Sequence, residues 1–291
     1  MTQAKLVRVA FVRYSPQGKA YPARCDRDAI VEGDEVEVLM RAESEDAYYM
    51  SGVIDRIEWT PTLFSLRVEA ELDPYKAGQF TKLALQRGEQ RIQRAYSFVN
   101  PPDMPYHEFY LIEIPNGELS PSLGALQVGD SVLVQSQATG FLTLDEVPAG
   151  RDLWLLSTGT AIGPFLAMLA QGEAFERFEH LVLVHGVRTG EELTYQSLIA
   201  SFSERYSARF SYVPFVSREF WPGAMAGRIP AAITSGQLQE RVGLTFSPEQ
   251  SQVLICGNPA MVKETQQTLI GLGLAKNLRR TPGNISVENY W

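Results

Sequence analysis

Leu153-Trp154-Leu155-Leu156-Ser157-Thr158-Gly159-Thr160-Ala161-Ile162-Gly163-Pro164-Phe165-Leu166 is the stretch whose reading decides the fold. A short apolar run ends in a turn of small residues and gives way to helical spacing, the pattern of a buried strand feeding a helix. Thr158, Gly159, Thr160 and Gly163 keep bulk out of the turn, so backbone N–H groups and a helix N-terminus can face a ligand. Such helix ends attract phosphate and other electron-rich groups. Pro164 suits the first helical turn, where its missing N–H costs nothing. An ordinary strand–helix connection has the same composition, so the turn takes its meaning from what surrounds it.

Around this stretch the chain continues in one rhythm and arrives from another. From Leu153 onward, short apolar runs (Leu153–Leu156, Leu181–His185, Phe210–Val216, Val253–Cys256) alternate with helix-length segments. That alternation predicts a parallel sheet covered by helices on both faces. Ligands of such sheets bind outside the carboxyl ends of the strands, where the small-residue turn and Cys256-Gly257-Asn258-Pro259 both fall. Ahead of Pro148-Ala149-Gly150 the rhythm is β throughout, with runs at Val53–Trp59, Leu63–Ala70, Phe80–Leu85, Phe109–Ile114 and Ser131–Gln135. Turns such as Asp73-Pro74, Ala77-Gly78 and Val128-Gly129-Asp130 separate them, which predicts a barrel or sandwich. A crevice between the two halves is therefore the expected site.

Residues 1–50 read as a small antiparallel β module, with extended runs at Leu6–Tyr14, Tyr21–Cys25 and Val36–Val38. Its aromatic and basic residues (Phe11, Arg13, Tyr14, Lys19, Tyr21, Arg24, Arg27) fit either a binding face or half-buried strands with a solvated face; the second reading is the simpler.

The bulk properties bound the function. A chain of 291 residues suggests about two domains, and a net charge of -8 argues against a nucleic-acid or membrane-surface role for the whole molecule. No apolar run is long enough to span a bilayer, and the N-terminus lacks the apolar core of a signal peptide. Two cysteines, Cys25 and Cys256, cannot build a disulfide framework or a four-thiolate cluster, so a reducing cytoplasm is the expected compartment. His107, His180 and His185 show no metal-ligand spacing and are expected to be structural.

In the barrel half, Arg94-Ala95-Tyr96-Ser97 directly follows strand-like sequence. A guanidinium at Arg94 can fork two donors onto a pyrophosphate, while Tyr96 and Ser97 offer a ring that can stack and a hydroxyl. The motif is short and gains weight from its companions: Gly78-Gln79-Phe80, Gly117-Glu118-Leu119-Ser120, the Gly159–Phe165 turn, Cys256–Pro259 and an aromatic C-terminus. In order and spacing these motifs resemble those of the bacterial-type ferredoxin/flavodoxin–NADP reductases. The resemblance runs from about residue 51 to Trp291 and leaves residues 1–50 outside it.

The resemblance implies an antiparallel FAD-binding β-barrel over 51–150 and a parallel-sheet α/β NADP-binding domain over 151–291, preceded by the small β module. It implies Arg94 on the FAD pyrophosphate with Ala95 beside it, Tyr96 stacked on the flavin, Ser97 near flavin N5, and Gly117, Glu118, Leu119 and Ser120 giving backbone donors to the FAD phosphates. Glu118 departs from the neutral or basic residue expected there, so its carboxylate is expected to face solvent or to repel phosphate. Thr160 would lie beside flavin and nicotinamide, with Gly159 and Gly163 allowing close approach of the rings. Cys256 would lie against the nicotinamide, and Tyr290 and Trp291, with Glu288 as a weaker candidate, against FAD. Arg188, Arg218 and Arg228 would accommodate the NADP 2′-phosphate. Two effective charge-assisted contacts of roughly 1.5–3 kcal/mol each, less when exposed to solvent, favour NADP over NAD by on the order of a hundredfold or more.

The implied activity is hydride exchange between NADP(H) and FAD coupled to single-electron exchange with ferredoxin or flavodoxin, with Ser97, Tyr96 and Cys256 at the reacting centre. A basic rim of Lys82, Arg87 and Arg91 is the expected docking edge for an acidic carrier. Two alternatives stand beside this: the NAD(P)H-dependent reductase component of an oxygenase, and a non-catalytic adaptor on the same fold.

Overall fold

Strands from the middle of the chain gather around Leu66, Leu83, Phe98, Phe109 and Val134, all buried, with successive side chains directed to opposite faces of each strand. A computed structural model describes residues 47–88 and 90–290, together with the backbone of two short strands, β1 (Val9–Arg13) and β2 (Ala20–Arg24). These two pair antiparallel, Val9 opposite Arg24. Val36–Val38, Cys25, Trp291 and the remainder of the expected N-terminal module lie outside the described residues.

Six antiparallel strands follow: β3 (Tyr48–Glu58), β4 (Leu63–Glu69), β5 (Phe80–Arg87), β6 (Gln90–Ser97), β7 (His107–Ile112) and, after the short helix α1 (Ser120–Gly124), β8 (Ser131–Gln135). Their order is β6-β5-β8-β3-β4-β7. The two edge strands are brought together by a bridge between Phe98 and Phe109 and by Val99 N–H donating to Glu108 O at 2.9 Å. Closure of this kind satisfies edge groups that would otherwise stay unpaired. The sheet begins at Tyr48, whose pairing with Gln135 carries β3 ahead of the Ser51 boundary.

The second half contains β9 (Asp152–Thr158), α2 (Gly163–Gln171), α3 (Glu173–Arg177), β10 (His180–Val187), α4 (Gln196–Arg205), β11 (Phe210–Val216), β12 (Met225–Ala226), α5 (Ile229–Thr234), α6 (Gln237–Val242), β13 (Ser251–Gly257), α7 (Pro259–Gly271) and β14 (Ile285–Asn289). All six strands are parallel, in the order β12-β11-β10-β9-β13-β14. Every residue of β13 and the first six of β9 are buried, as expected of strands covered on both faces. Leu155, Phe165, Leu183 and Leu254 belong to one core cluster and Trp154, Val184, Ile229 and Ile255 to another, so the two faces of the sheet have separate cores. The expected fold class is the one observed.

Gly163 shows what joins the halves. A Cβ there would meet Val99 Cγ2 at 3.2 Å, so the start of α2 lies against the barrel strand end that follows Ser97. The small residue serves the contact between the two sheets. Gly159 differs: its φ is +56 and its Cα faces open space, which suits a ligand-facing turn.

Candidate functional site

The chain leaves β9, moves outward through β10, β11 and β12, then returns to the other side of β9 as β13. The carboxyl ends of β9 and β13 therefore form the point where strand order reverses, the place where open α/β sheets bind ligands. Two turns meet there. Asn258 N–H donates to Thr158 Oγ1 at 3.1 Å, and Gly257, at φ +144, lies so close that a Cβ would sit 2.2 Å from the same oxygen. Asn258 also caps α7, its Oδ1 accepting from Ala260 N–H at 3.0 Å. His185, fully buried on β10, is hydrogen-bonded through Nε2 to Gly159 O at 3.0 Å. Burial pulls its pKa down to about 4, so the neutral ring holds the carbonyl of the turn as an N–H donor.

A cavity of about 610 Å³ opens at this point, lined by Thr158, Gly159, Thr160, Arg188, Ser217 and Arg228 together with Asn258, Met261 and barrel residues Leu63, Ile112 and Ile114. Arg188 is ion-paired with Glu192 at 3.0 Å, and its backbone N–H also donates to that carboxylate. Arg228 is the residue before α5. Arg218 is exposed and joined to Arg188 by a backbone hydrogen bond of 2.9 Å. Met261 and Glu192 were not singled out from sequence, and Asn258 entered only as part of the Cys256–Pro259 motif. The Asn-Pro start of α7 signals a capping Asn, and the four-residue spacing of Arg188 and Glu192 signals an ion pair. Nothing in the sequence marks Met261.

On the barrel side, Arg94 and Tyr96 share one face of β6, while Ser97 is turned inward and buried. Tyr96 has its phenol pushed up to about 12 by burial, with Arg94 opposing that shift. Ala95 is exposed opposite Lys82 on β5. Gly117 N–H donates to Ile114 O at 2.8 Å and the Ser120 hydroxyl accepts from Ile114 N–H at 3.0 Å, so both groups brace the turn from inside. Leu119 is buried, and the Glu118 carboxylate, expected to face solvent or to repel phosphate, is exposed and ion-paired with Arg94. Of the expected basic rim, Lys82 is half-buried, Arg87 is hydrogen-bonded to Ser122 of α1, and Arg91 lies over the Tyr48 ring at 4.0 Å.

The two halves converge on Ser97. Tyr290 follows β14, its N–H donating to Gly257 O at 3.0 Å, and its phenol, pushed up by burial, lies beside Ser97, which partly offsets that shift. Cys256 and Glu288 face each other in register across β13 and β14. Burial raises the Cys256 thiol well above its ordinary range, and the Glu288 carboxylate beside it adds to that shift, so the sulfur is a neutral space-filling group. Burial also lifts the Glu288 carboxyl to about 7. Ser97, Cys256, Glu288 and Tyr290 thus meet at one place from three distant parts of the chain. The three histidines are structural: His107 bonds Tyr75 and Ala70, His180 bonds Asp152, and His185 holds Gly159.

An antiparallel barrel set against a parallel sheet, with a nucleotide-sized cavity at the strand-order reversal and a serine, a cysteine and a tyrosine converging beside it, defines a two-domain oxidoreductase that uses a nicotinamide nucleotide. Residues 155–267 match the oxidoreductase NAD-binding domain family. Across 247 residues the chain is 48% identical to the flavodoxin/ferredoxin–NADP reductase of Escherichia coli, covering 84% of this chain and all of that one. It is 35% identical to the ferredoxin–NADP reductase of Pseudomonas aeruginosa over 82% of this chain and 96% of the relative. Among solved structures, a ferredoxin NADP+ reductase from Neisseria gonorrhoeae with bound FAD and NADP superposes with a TM-score of 0.80 at 34% identity, covering 86% of this chain and 100% of that one. The chain belongs to the flavodoxin/ferredoxin–NADP reductase family.

Proposed function

We propose that the barrel holds FAD, that the cavity at the ends of β9 and β13 takes NADP(H), and that the partner is a ferredoxin or flavodoxin in the cytoplasm. The donor set suits both nucleotides. A guanidinium beside a helix-opening turn matches a diphosphate, and Tyr96 offers a half-buried ring for a planar heterocycle. Arg188 and Arg228 in the cavity, with Arg218 adjoining, suit a 2′-phosphate. Bound FAD supplies the chemistry that links two-electron exchange with NADP(H) to one-electron exchange with a carrier protein.

The residues of this chain do the positioning. Arg94 and the Glu118–Ser120 backbone orient the diphosphate, and Tyr96 supports the ring. Ser97, able to donate and to accept, faces the atom that gains and loses hydride. Cys256 fills the space beside the nicotinamide without competing for hydride, and Thr160 with Gly159 lets the ring enter. Tyr290 occupies the Ser97 side of the junction. Helping to exclude water there, the half-buried Glu288 carboxyl stands beside the same space.

The observation that carries this reading is the convergence of Ser97, Cys256 and Tyr290 below the strand-order reversal. The test is an absorbance spectrum of the purified protein, followed by anaerobic addition of NADPH and, separately, NADH. A flavin spectrum bleached by far less NADPH than NADH supports the reading. Equal bleaching by NADH removes the arginine assignment and favours the oxygenase-reductase alternative, and no flavin even after FAD is supplied leaves the adaptor alternative.

A further inference from the structure

Arg94 already has an anionic partner within the protein. Its guanidinium Nη2 is ion-paired with Glu118 Oε2, and Nη1 donates to its own strand's Gln93 O at 2.7 Å. The pair is exposed, with 57% of the Arg94 side chain and 68% of the Glu118 side chain open to solvent. Arg87 on the neighbouring β5 reaches the same helix at Ser122 Oγ. Arg87, Arg94 and Glu118 line this side of the turn, with Arg56 and Glu113 at the far end of α1 against Gly124, and the Glu118 carboxylate neutralises the guanidinium assigned to the diphosphate.

Glu118 cannot move far from the site. The turn beneath it is fixed by the Gly117 N–H bond to Ile114 O and by the Ser120 hydroxyl bond to Ile114 N–H. Leu119, the next residue, is 2% exposed and belongs to the barrel core. A carboxylate displaced from Arg94 therefore stays tethered to this turn, a like charge on the same side as any phosphate bound at Arg94.

We propose that Glu118 is a built-in competitor for the diphosphate of FAD: it holds Arg94 before the cofactor arrives, must give it up on binding, and repels the phosphates afterwards. This rests on the assignment of Arg94 to the diphosphate made above. The energetics allow displacement. An exposed ion pair contributes at most about 1 kcal/mol, so an incoming dianion can break it. The cost appears in affinity and in salt dependence. The Arg94–Glu118 pair presents almost no net charge to the ligand, whereas Arg94 without it presents a full positive charge.

The test uses the full-length FAD-loaded protein, its Glu118→Gln and its Arg94→Gln variants, with the dissociation constant read from flavin fluorescence released on dilution. At about 20 mM salt, where screening is weak, Glu118→Gln should hold FAD roughly three- to tenfold more tightly than the parent, and at about 500 mM the advantage should shrink toward none. The parent should show the flatter salt dependence. Glu118 is not a competitor if Glu118→Gln binds FAD no more tightly than the parent at low salt while Arg94→Gln weakens it. If Arg94→Gln leaves FAD affinity unchanged, the Arg94 assignment itself fails, and the competitor role with it.

Discussion

Tyr195 donates its hydroxyl to Glu108 Oε1 at 2.7 Å, tying the parallel-sheet half of the chain to the barrel. The bond ends a relay: Trp59 Nε1–H donates to Ser65 Oγ at 2.8 Å, and Ser65 Oγ lies 2.6 Å from the Tyr195 hydroxyl. Arg67 Nε–H completes the carboxylate from the other side at 2.8 Å. Beside it, Thr194 Oγ1 donates to the Tyr110 hydroxyl at 2.9 Å. Tyr195 sits at φ +57, a conformation that a bulky residue keeps only when its surroundings hold it. A buried network with its polar atoms paired fixes one arrangement of the two halves, and with it the distance from Ser97 to the turn at Gly159.

Tyr195→Phe should therefore lower stability by about 2–3 kcal/mol, since it strips a hydrogen bond to a charged group and leaves Ser65 with only its bond from Trp59. A lower urea midpoint with an unchanged slope is the expected signature. Single-turnover flavin reduction by NADPH should also slow, because hydride transfer depends steeply on ring spacing. An unchanged midpoint would show that the halves are held by apolar packing alone.

Glu288 gives a pH dependence with a definite sign. Burial raises its carboxyl to about 7 in the folded protein, above its ordinary value of 4.5. The folded state then binds the proton more tightly than the unfolded one. Its contribution is fully present below the unfolded value and is lost as pH rises through about 7. Glu288→Gln should match the parent near pH 4.5 and become relatively more stable as pH rises toward 7, read as the difference in Tm across that range. A constant difference would mean that the carboxyl titrates normally.

Gly257→Ala should be poorly tolerated although the residue added is small. Its Cβ would lie 2.2 Å from Thr158 Oγ1 and 3.1 Å from Thr158 N, at a φ of +144 that L-residues avoid. The loss should be at least about 2 kcal/mol in chemical denaturation. Equal stability would require the β9 and β13 turns to separate without cost.

Arg228 lines the cavity at the start of α5, clear of the ion pair that occupies Arg188. Arg228→Gln should raise KM for NADPH about ten- to hundredfold and leave KM for NADH nearly unchanged, as loss of a charge-assisted phosphate contact requires. Steady-state titration with both nucleotides checks this, and an equal rise for both would place Arg228 on a part they share.

Much of this arrangement was legible in the chain. The period change at Pro148-Ala149-Gly150, together with the small-residue turn after Leu156, led to a barrel followed by a parallel sheet, because period two and buried apolar runs are local consequences of side-chain direction. The residue types of the site were equally legible, since guanidinium, hydroxyl and thiol announce the chemistry they can do. What each glycine is for was not. Gly159 opens toward the cavity, Gly163 admits Val99, and Gly257 admits Thr158, although all three stand in the same kind of turn.

The sequence by itself determined the order of the elements, the two kinds of sheet and the motifs that sit at strand ends, since these depend on spacing along the chain. Only the tertiary structure decided that Glu118 reaches Arg94, that Tyr290 reaches Ser97, and that Tyr195 crosses to Glu108. Those contacts join residues far apart in sequence. They depend on sheet register, barrel closure and the angle between the halves, which are set by the summed packing of both cores.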